Sequence, residues 1–143
     1  MNDIARLRLI NQQIIGGRCR TPDEAVRTLG ALQAQDYSST LWAIALRLPG
    51  STQTDVEQAF AQHRIVRTWA MRGTIHLLAA EDIRWMLELL APRVLSGTGS
   101  RDRQLGLDAA TYSLGRTLLE NALQGGKQAQ RDEVYAVLER GNI

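Results

Sequence analysis

Apolar residues recur at helical spacing through most of the chain, in segments that turn signals separate. Ile4, Leu7, Ile10 and Ile14 form the first apolar stripe, and Gly16-Gly17 follows it as a stop signal. The same period returns in several later segments. The pattern therefore predicts a mainly α-helical chain.

Residues that commonly begin helices precede the apolar stripes of the predicted second, third and fourth helices. Thr21-Pro22-Asp23-Glu24 combines a capping box with proline at the first helical position. Ser38, Ser39 or Thr40 is expected to cap a third helix, and residues 54–57 form a second capping box that opens a fourth. We therefore predict closely spaced short helices in the first half of the chain.

The period changes from helical to two between Ile65 and Leu78, which predicts a β-hairpin with Arg72-Gly73 as its turn. A two-residue turn would pair Met71 with Thr74 and continue that register along both strands. It would place one group of side chains toward the core: Val66, Thr68, Ala70, Ile75 and Leu77. The opposite face would carry Arg67, Trp69 and His76.

Helices followed by a hairpin are the outline of a winged-helix domain, with the hairpin as its wing. After the hairpin, the pattern predicts a helix from Ile83 that Pro92 kinks or closes, and then a loop over residues 96–100. Further helices are expected after Asp108 and over residues 131–140. We expect a winged-helix-like domain with a trailing helix over 1–95 and a helical extension over 96–143.

The amino-acid composition excludes several classes of protein. The 143 residues are 44% hydrophobic and 22% charged, and no apolar run is long enough to cross a bilayer. Cys19 is the only cysteine, so an intrachain disulfide and a Cys-rich zinc site are both excluded. The first residues lack the apolar stretch of a secretory signal. We expect a cytoplasmic protein without a metal or cofactor.

Arginine supplies nearly all of the positive charge, since Lys127 is the only lysine. The net charge of +2 is too small to establish nucleic-acid binding by itself. Arginine forks can nevertheless hold phosphates, and Arg67 and Arg72 flank Trp69 in the predicted hairpin. These side chains and His76 are candidate DNA contacts. Packing of Trp69 and His76 in the fold is the alternative.

The segment Gln33-Ala34-Gln35 is the candidate for chemistry. On an α-helix the two glutamines would diverge, whereas an extended segment would point both the same way. Amides that close the carbonyl groups of a helix end are the alternative interpretation. The chain has no phosphate-binding glycine loop, zinc-protease motif or recognisable catalytic triad.

Taken together, three stretches resemble the bacterial winged-helix proteins that include the AlkZ-type DNA glycosylases. They are residues 32–36, residues 41–50 and especially residues 67–77, which read RTWAMRGTIHL. The resemblance extends well over residues 4–95 and loosely beyond. It implies that this chain is the N-terminal part of a longer protein, with residues 131–140 opening a second winged helix.

The resemblance also implies an activity and a site. AlkZ-type enzymes use a Gln-x-Gln motif, which falls on Gln33 and Gln35, whereas the sister YcaQ-type group carries Gln-x-Asp. The implied reaction is hydrolysis of the N-glycosidic bond of N7-alkylated purines, including interstrand crosslinks, in double-stranded DNA. A winged-helix DNA-binding module or regulator without chemistry remains an alternative, as does a protein-interaction domain. The oligomeric state stays open.

Overall fold

The computed structural model describes residues 3–143, which form two compact units that divide between Leu95 and Ser96. In the first unit the elements are α1 (Asp3–Asn11), α2 (Pro22–Leu29), β1 (Leu32–Gln33), α3 (Tyr37–Ala45), α4 (Gln53–Ala61), β2 (Ile65–Met71), β3 (Thr74–Ala79) and α5 (Ile83–Leu95). In the second they are α6 (Gly99–Leu105), α7 (Ala109–Ala122) and α8 (Arg131–Arg140). The prediction of a mainly α chain with a β-hairpin wing is confirmed.

The sheet has three antiparallel strands in the order β1-β3-β2. The hairpin of β2 and β3 was predicted, but β1 was not, because two residues are too short to show a period. β1 pairs with β3 so that Leu32 lies opposite Leu77 and Gln33 lies opposite His76. The predicted hairpin is therefore extended by one short edge strand.

Both faces of the sheet are covered by helices. On one face, Leu77 packs with Val26, Ile44 and Val56, which α2, α3 and α4 contribute. On the other face, Leu78 belongs to a second cluster with Ala70 and with Met86 of α5. Leu77 and Leu78 are both fully buried, so β3 is the central element of the first unit.

The predicted hairpin register is wrong beyond the turn. Met71 does pair with Thr74, but Trp69 then pairs with Ile75 and Arg67 with Leu77, because a bulge at Ala70 shifts the register. Such a bulge inserts one residue that has no partner on the other strand. Ala70 consequently faces the cluster of Leu78 and Met86, whereas Leu77 faces the opposite core.

Two predicted helix starts were also wrong. The α3 cap is Asp36, whose carboxylate accepts the Ser39 N–H, and the α4 cap is Thr52, which forms a capping box with Asp55. In both cases the helix begins earlier in the chain than the apolar stripe does. Residues 96–100 were predicted as loop, but α6 begins within them at Gly99.

In the second unit, α7 and α8 pack together at a glycine. A Cβ at Gly115 would meet Leu138 Cδ2 at 3.6 Å and Ile143 Cδ1 at 3.5 Å, so ordinary van der Waals contact already fills this space. None of the side chains from 96 to 143 is buried. Within residues 3–143, no helix is long and apolar enough to span a bilayer.

Candidate functional site

The Gln33-Ala34-Gln35 segment connects the edge strand β1 to the start of α3. Gln33 ends β1, and the Ala34 N–H donates to the Ile75 carbonyl at 2.9 Å. Ala34 is buried in the core, whereas Gln33 and Gln35 are both exposed. Alternation along this segment therefore sends the alanine inward and both glutamines outward.

The structure brings the two glutamine side chains together. Gln33 Nε2 donates to Gln35 Oε1 at 2.8 Å. This contact uses one lone pair of the Gln35 oxygen, so that oxygen keeps a second lone pair and Gln33 Oε1 keeps both of its own. The pair thus presents two amide oxygens at a solvent-exposed edge.

Asp36 follows the pair directly but is engaged in the fold. Its carboxylate accepts the Ser39 N–H at 2.7 Å, and its own carbonyl accepts the Thr40 hydroxyl at 2.6 Å. The hydrogen bonds from Ser39 hold the pKa of Asp36 below its usual range, and the positive charge of Arg67 adds to this effect. Asp36 is therefore an ionised helix cap, which is a different role from that of a poised general base.

Arg67 contacts the backbone of the same segment. Its Nε donates to the Ala34 carbonyl at 2.7 Å, and its Nη2 donates to the Gln35 carbonyl at 2.9 Å. Arg67 was predicted to contact DNA, and its hydrogen bonds to this backbone were not predicted. The contact joins residues more than thirty positions apart, and no local spacing signals it.

The structure separates the three residues that were predicted to share one exposed face of the hairpin. Arg67 and Trp69 pair with Leu77 and Ile75, while His76 pairs with Thr68 and lies on the other face. His76 is only 5% exposed. Its Nδ1 lies 2.9 Å from the Thr74 carbonyl, and since a carbonyl only accepts, Nδ1 is the protonated ring nitrogen. His76 thus has a buried ring whose Nδ1 is bonded to the backbone.

The tip of the wing carries the exposed members of the predicted set. Trp69 is 67% exposed, and Arg72 is also exposed. Arg72 and Gly73 have φ values of 53° and 71°, as a tight hairpin turn requires. A left-handed conformation is strained for arginine, whereas glycine adopts it freely. The turn therefore holds an exposed cation in a conformation that local propensity disfavours.

Comparison with known proteins gives the family. The profile of the family described as "DNA glycosylase AlkZ-like" matches residues 26–142. The chain belongs to the AlkZ-like DNA glycosylase family. The match includes the Gln33 and Gln35 pair, the whole hairpin and most of the second unit.

Two relatives of this AlkZ-like chain come from Streptomyces sahachiroi. The chain is 35% identical to "Interstrand DNA cross-link repair glycosylase" over 68 residues, which are 48% of this chain and 18% of that protein. The solved structure of the DNA glycosylase AlkZ matches with a TM-score of 0.71 at 27% identity, over 92% of this chain and 35% of that one. The chain thus spans about a third of the solved relative, and its fold is of the winged-helix type.

Proposed function

We propose that this AlkZ-like chain carries the catalytic glutamine pair of a monofunctional DNA glycosylase that excises N7-alkylated purines, including those in interstrand crosslinks. The observation that carries the proposal is the contact between Gln33 Nε2 and Gln35 Oε1 on an exposed edge. Support also comes from the family match and from the crosslink-repair name of one relative. The partner is damaged double-stranded DNA in the cytoplasm.

The chemistry of the leaving group explains why amides are sufficient. A purine alkylated at N7 already carries a positive charge, so cleavage of its glycosidic bond returns an electron pair to the ring and releases a neutral base. Such a base needs little acid catalysis. The enzyme must instead position water at C1′ and tolerate the positive charge that develops on the sugar. An unmodified purine, which leaves as an anion, should remain intact.

The glutamine pair can perform this positioning. The two O–H bonds of one water molecule donate to Gln33 Oε1 and to the remaining lone pair of Gln35 Oε1, which leaves a water lone pair for attack on C1′. The C1′–O bond forms while the C1′–N9 bond breaks. The proton of the attacking water passes to solvent, since neither amide takes a proton at neutral pH.

The exposure of the pair matches a crosslinked substrate. A crosslinked guanine is tethered to the opposite strand, so it cannot rotate freely into an enclosed pocket. An open edge can approach such a base without extracting it. We assign Trp69 and Arg72 at the wing to DNA contact, as a stacking surface and a phosphate ligand. The buried ring of His76 supports a structural role.

The solved relative is much longer than this chain, which covers 35% of it. This difference in length concerns the second unit, which lies at the end of the chain. We infer that residues 96–143, with α7 and α8, form a helical extension that opens a second winged-helix unit in the complete enzyme. The partial coverage of the solved glycosylase supports this inference. A structure of the full-length gene product would test it, and further helices followed by a second hairpin, downstream of α8, are the expected features.

Base release tests the proposed activity. The full-length gene product that contains this chain should release N7-methylguanine from alkylated DNA, and Gln35→Ala should reduce the single-turnover rate on the order of 100-fold. Gln128→Ala, an exposed glutamine ahead of α8, is the matched control and should retain the wild-type rate.

Two results would contradict the proposal. Salt-dependent DNA binding by a wild-type protein that releases no base would favour a binding module without chemistry. Absence of salt-dependent DNA affinity altogether would favour a protein-interaction domain.

A further inference from the structure

Arg67 lies where it can control the geometry of the glutamine pair. Its two donors reach two successive carbonyl groups, those of Ala34 and Gln35. Those carbonyls belong to the two peptide planes that flank the Gln35 Cα. Because each peptide unit is planar, holding both planes restrains the φ and ψ angles of Gln35 and with them the direction of its Cα–Cβ bond, from which the amide projects.

The neighbouring backbone is anchored on either side of this point. The Ala34 N–H is bonded to β3, and Asp36 begins α3 as its cap. Gln35 lies between Ala34, which is bonded to β3, and Asp36, which caps α3. The orientation of Gln35 therefore depends on the contacts made by its own peptide groups. Arg67 supplies two hydrogen bonds from a planar, rigid fork, which lysine cannot reproduce.

We propose that Arg67 is a positioning residue for the reaction, acting through Gln35, and that its Nε and Nη2 serve the protein backbone instead of a DNA phosphate. This inference rests on the proposed glycosylase function. Its Nε and Nη2 donors are already committed to the protein backbone at 2.7 and 2.9 Å. A phosphate contact through these two donors would require Arg67 to release the segment that holds the catalytic amide.

The Arg67→Lys variant separates the two roles, since it keeps the charge but loses the fork. The full-length gene product carrying Arg67→Lys should bind alkylated DNA with unchanged affinity and unchanged salt dependence. Its single-turnover rate of base release should fall on the order of 10- to 100-fold, because a small misplacement of a reacting group has effects of that size. Arg84→Lys, an exposed change on α5, is the matched control and should retain the wild-type rate.

A double-mutant cycle distinguishes positioning from a general structural effect. If Arg67 acts through Gln35, Arg67→Lys should cause no further loss of rate in a Gln35→Ala background. An additive loss in that background would overturn the proposal. Arg67→Gln is a second variant, because its amide can donate to one of the carbonyls but not to both, and its rate should fall at least as far.

The remaining outcomes are also decisive. A wild-type rate for Arg67→Lys overturns the inference. Weaker DNA binding with a salt slope reduced by about 1 for Arg67→Gln, which removes the charge, also overturns it, because this result would identify a phosphate contact. If neither variant folds, the arginine is a structural residue and the inference is wrong. A wild-type protein that releases no base contradicts the glycosylase function itself, and this result is distinct from all of the others.

Discussion

At the scale of single residues, Gln33 and Gln35 are chemically unusual candidates for catalysis because neither amide changes charge between acidic and basic pH. Under the proposed mechanism their usefulness lies in geometry, since the exposed, hydrogen-bonded pair would hold water without ionising it. A carboxylate in the same position would add the ability to accept a proton. The Gln-x-Asp motif of the sister group has a carboxylate there. Replacing Gln35 with aspartate therefore tests what the ability to accept a proton adds.

We expect Gln35→Asp to retain base release at neutral pH and to acquire a pH dependence that the wild type lacks. The new carboxylate can accept a proton from the attacking water when ionised, and it loses that ability as pH falls through its pKa, about 4 for an ordinary aspartate. Single-turnover rates between pH 4 and pH 8 provide the measurement. A flat profile for the variant, parallel to that of the wild type, would contradict a role for this side chain in holding the water.

The strained conformation of Arg72 gives a second prediction. Asn tolerates a positive φ better than arginine does, so Arg72→Asn should raise the free energy of unfolding by roughly 0.5 to 1 kcal/mol. The same change should weaken DNA binding and reduce the salt slope of log K by about 1, because one phosphate contact is lost. Denaturant unfolding and salt-dependent binding measure the two effects. Unchanged binding would remove Arg72 from the DNA interface.

At the scale of elements, the sequence predicted which helices and strands exist better than where they begin. The apolar stripe starting at Leu41 located α3, but Asp36 caps it one turn earlier because aspartate is a strong cap and the intervening turn is polar. Likewise, Thr52 rather than Thr54 opens α4. Apolar periodicity shows only where a helix has a buried face. The first turn of a helix can lack buried apolar residues, so periodicity does not show where the helix begins.

The capping box of α4 is expected to make stability depend on pH. The Thr52 N–H and hydroxyl donate to the Asp55 carboxylate at 2.6 and 2.8 Å and lower its pKa. A lowered pKa stabilises the fold above the unfolded value, about 3.9, and this contribution is lost as pH falls through the folded value. Asp55→Asn should therefore lower the unfolding temperature at pH 7, by an amount that shrinks toward pH 3.

Thermal unfolding at several pH values provides the test. Glu120→Gln, which removes one negative charge from an exposed position on α7, is the control and should not reproduce the pH-dependent difference. An equal effect of Asp55→Asn at pH 3 and pH 7 would show that the ionised cap contributes nothing to stability.

At the scale of the whole molecule, the sequence singled out Gln33-Ala34-Gln35 but could not decide between convergent glutamines and a helix end, nor predict what holds the segment. The hydrogen bonds of Arg67 cross from β2 to the end of β1, and β1 itself is too short to be recognised. The bulge at Ala70 depends on how the hairpin packs between two helical layers, and no local turn signal contains that information. Tertiary contacts therefore determined the features of the site that the sequence could not predict.

The two units differ in their capacity to fold when separated. The first contains clusters on both faces of its sheet, with Leu77 and Leu78 fully buried, whereas no side chain from 96 to 143 is buried. Folding must offset a large loss of conformational entropy by burying apolar surface, and small helical segments without a core do not meet that requirement. We expect residues 1–95 to fold alone and residues 96–143 to remain largely unfolded when excised.

Circular dichroism of the two excised segments measures this difference. Residues 1–95 should unfold in one cooperative transition, and Leu77→Ala should lower the free energy of that transition by about 2 to 5 kcal/mol because it leaves a cavity beside the central strand. Residues 96–143 should show little helix and no transition. A cooperative melt of the 96–143 segment would contradict the argument, since it would require a source of stability other than a buried core within that unit.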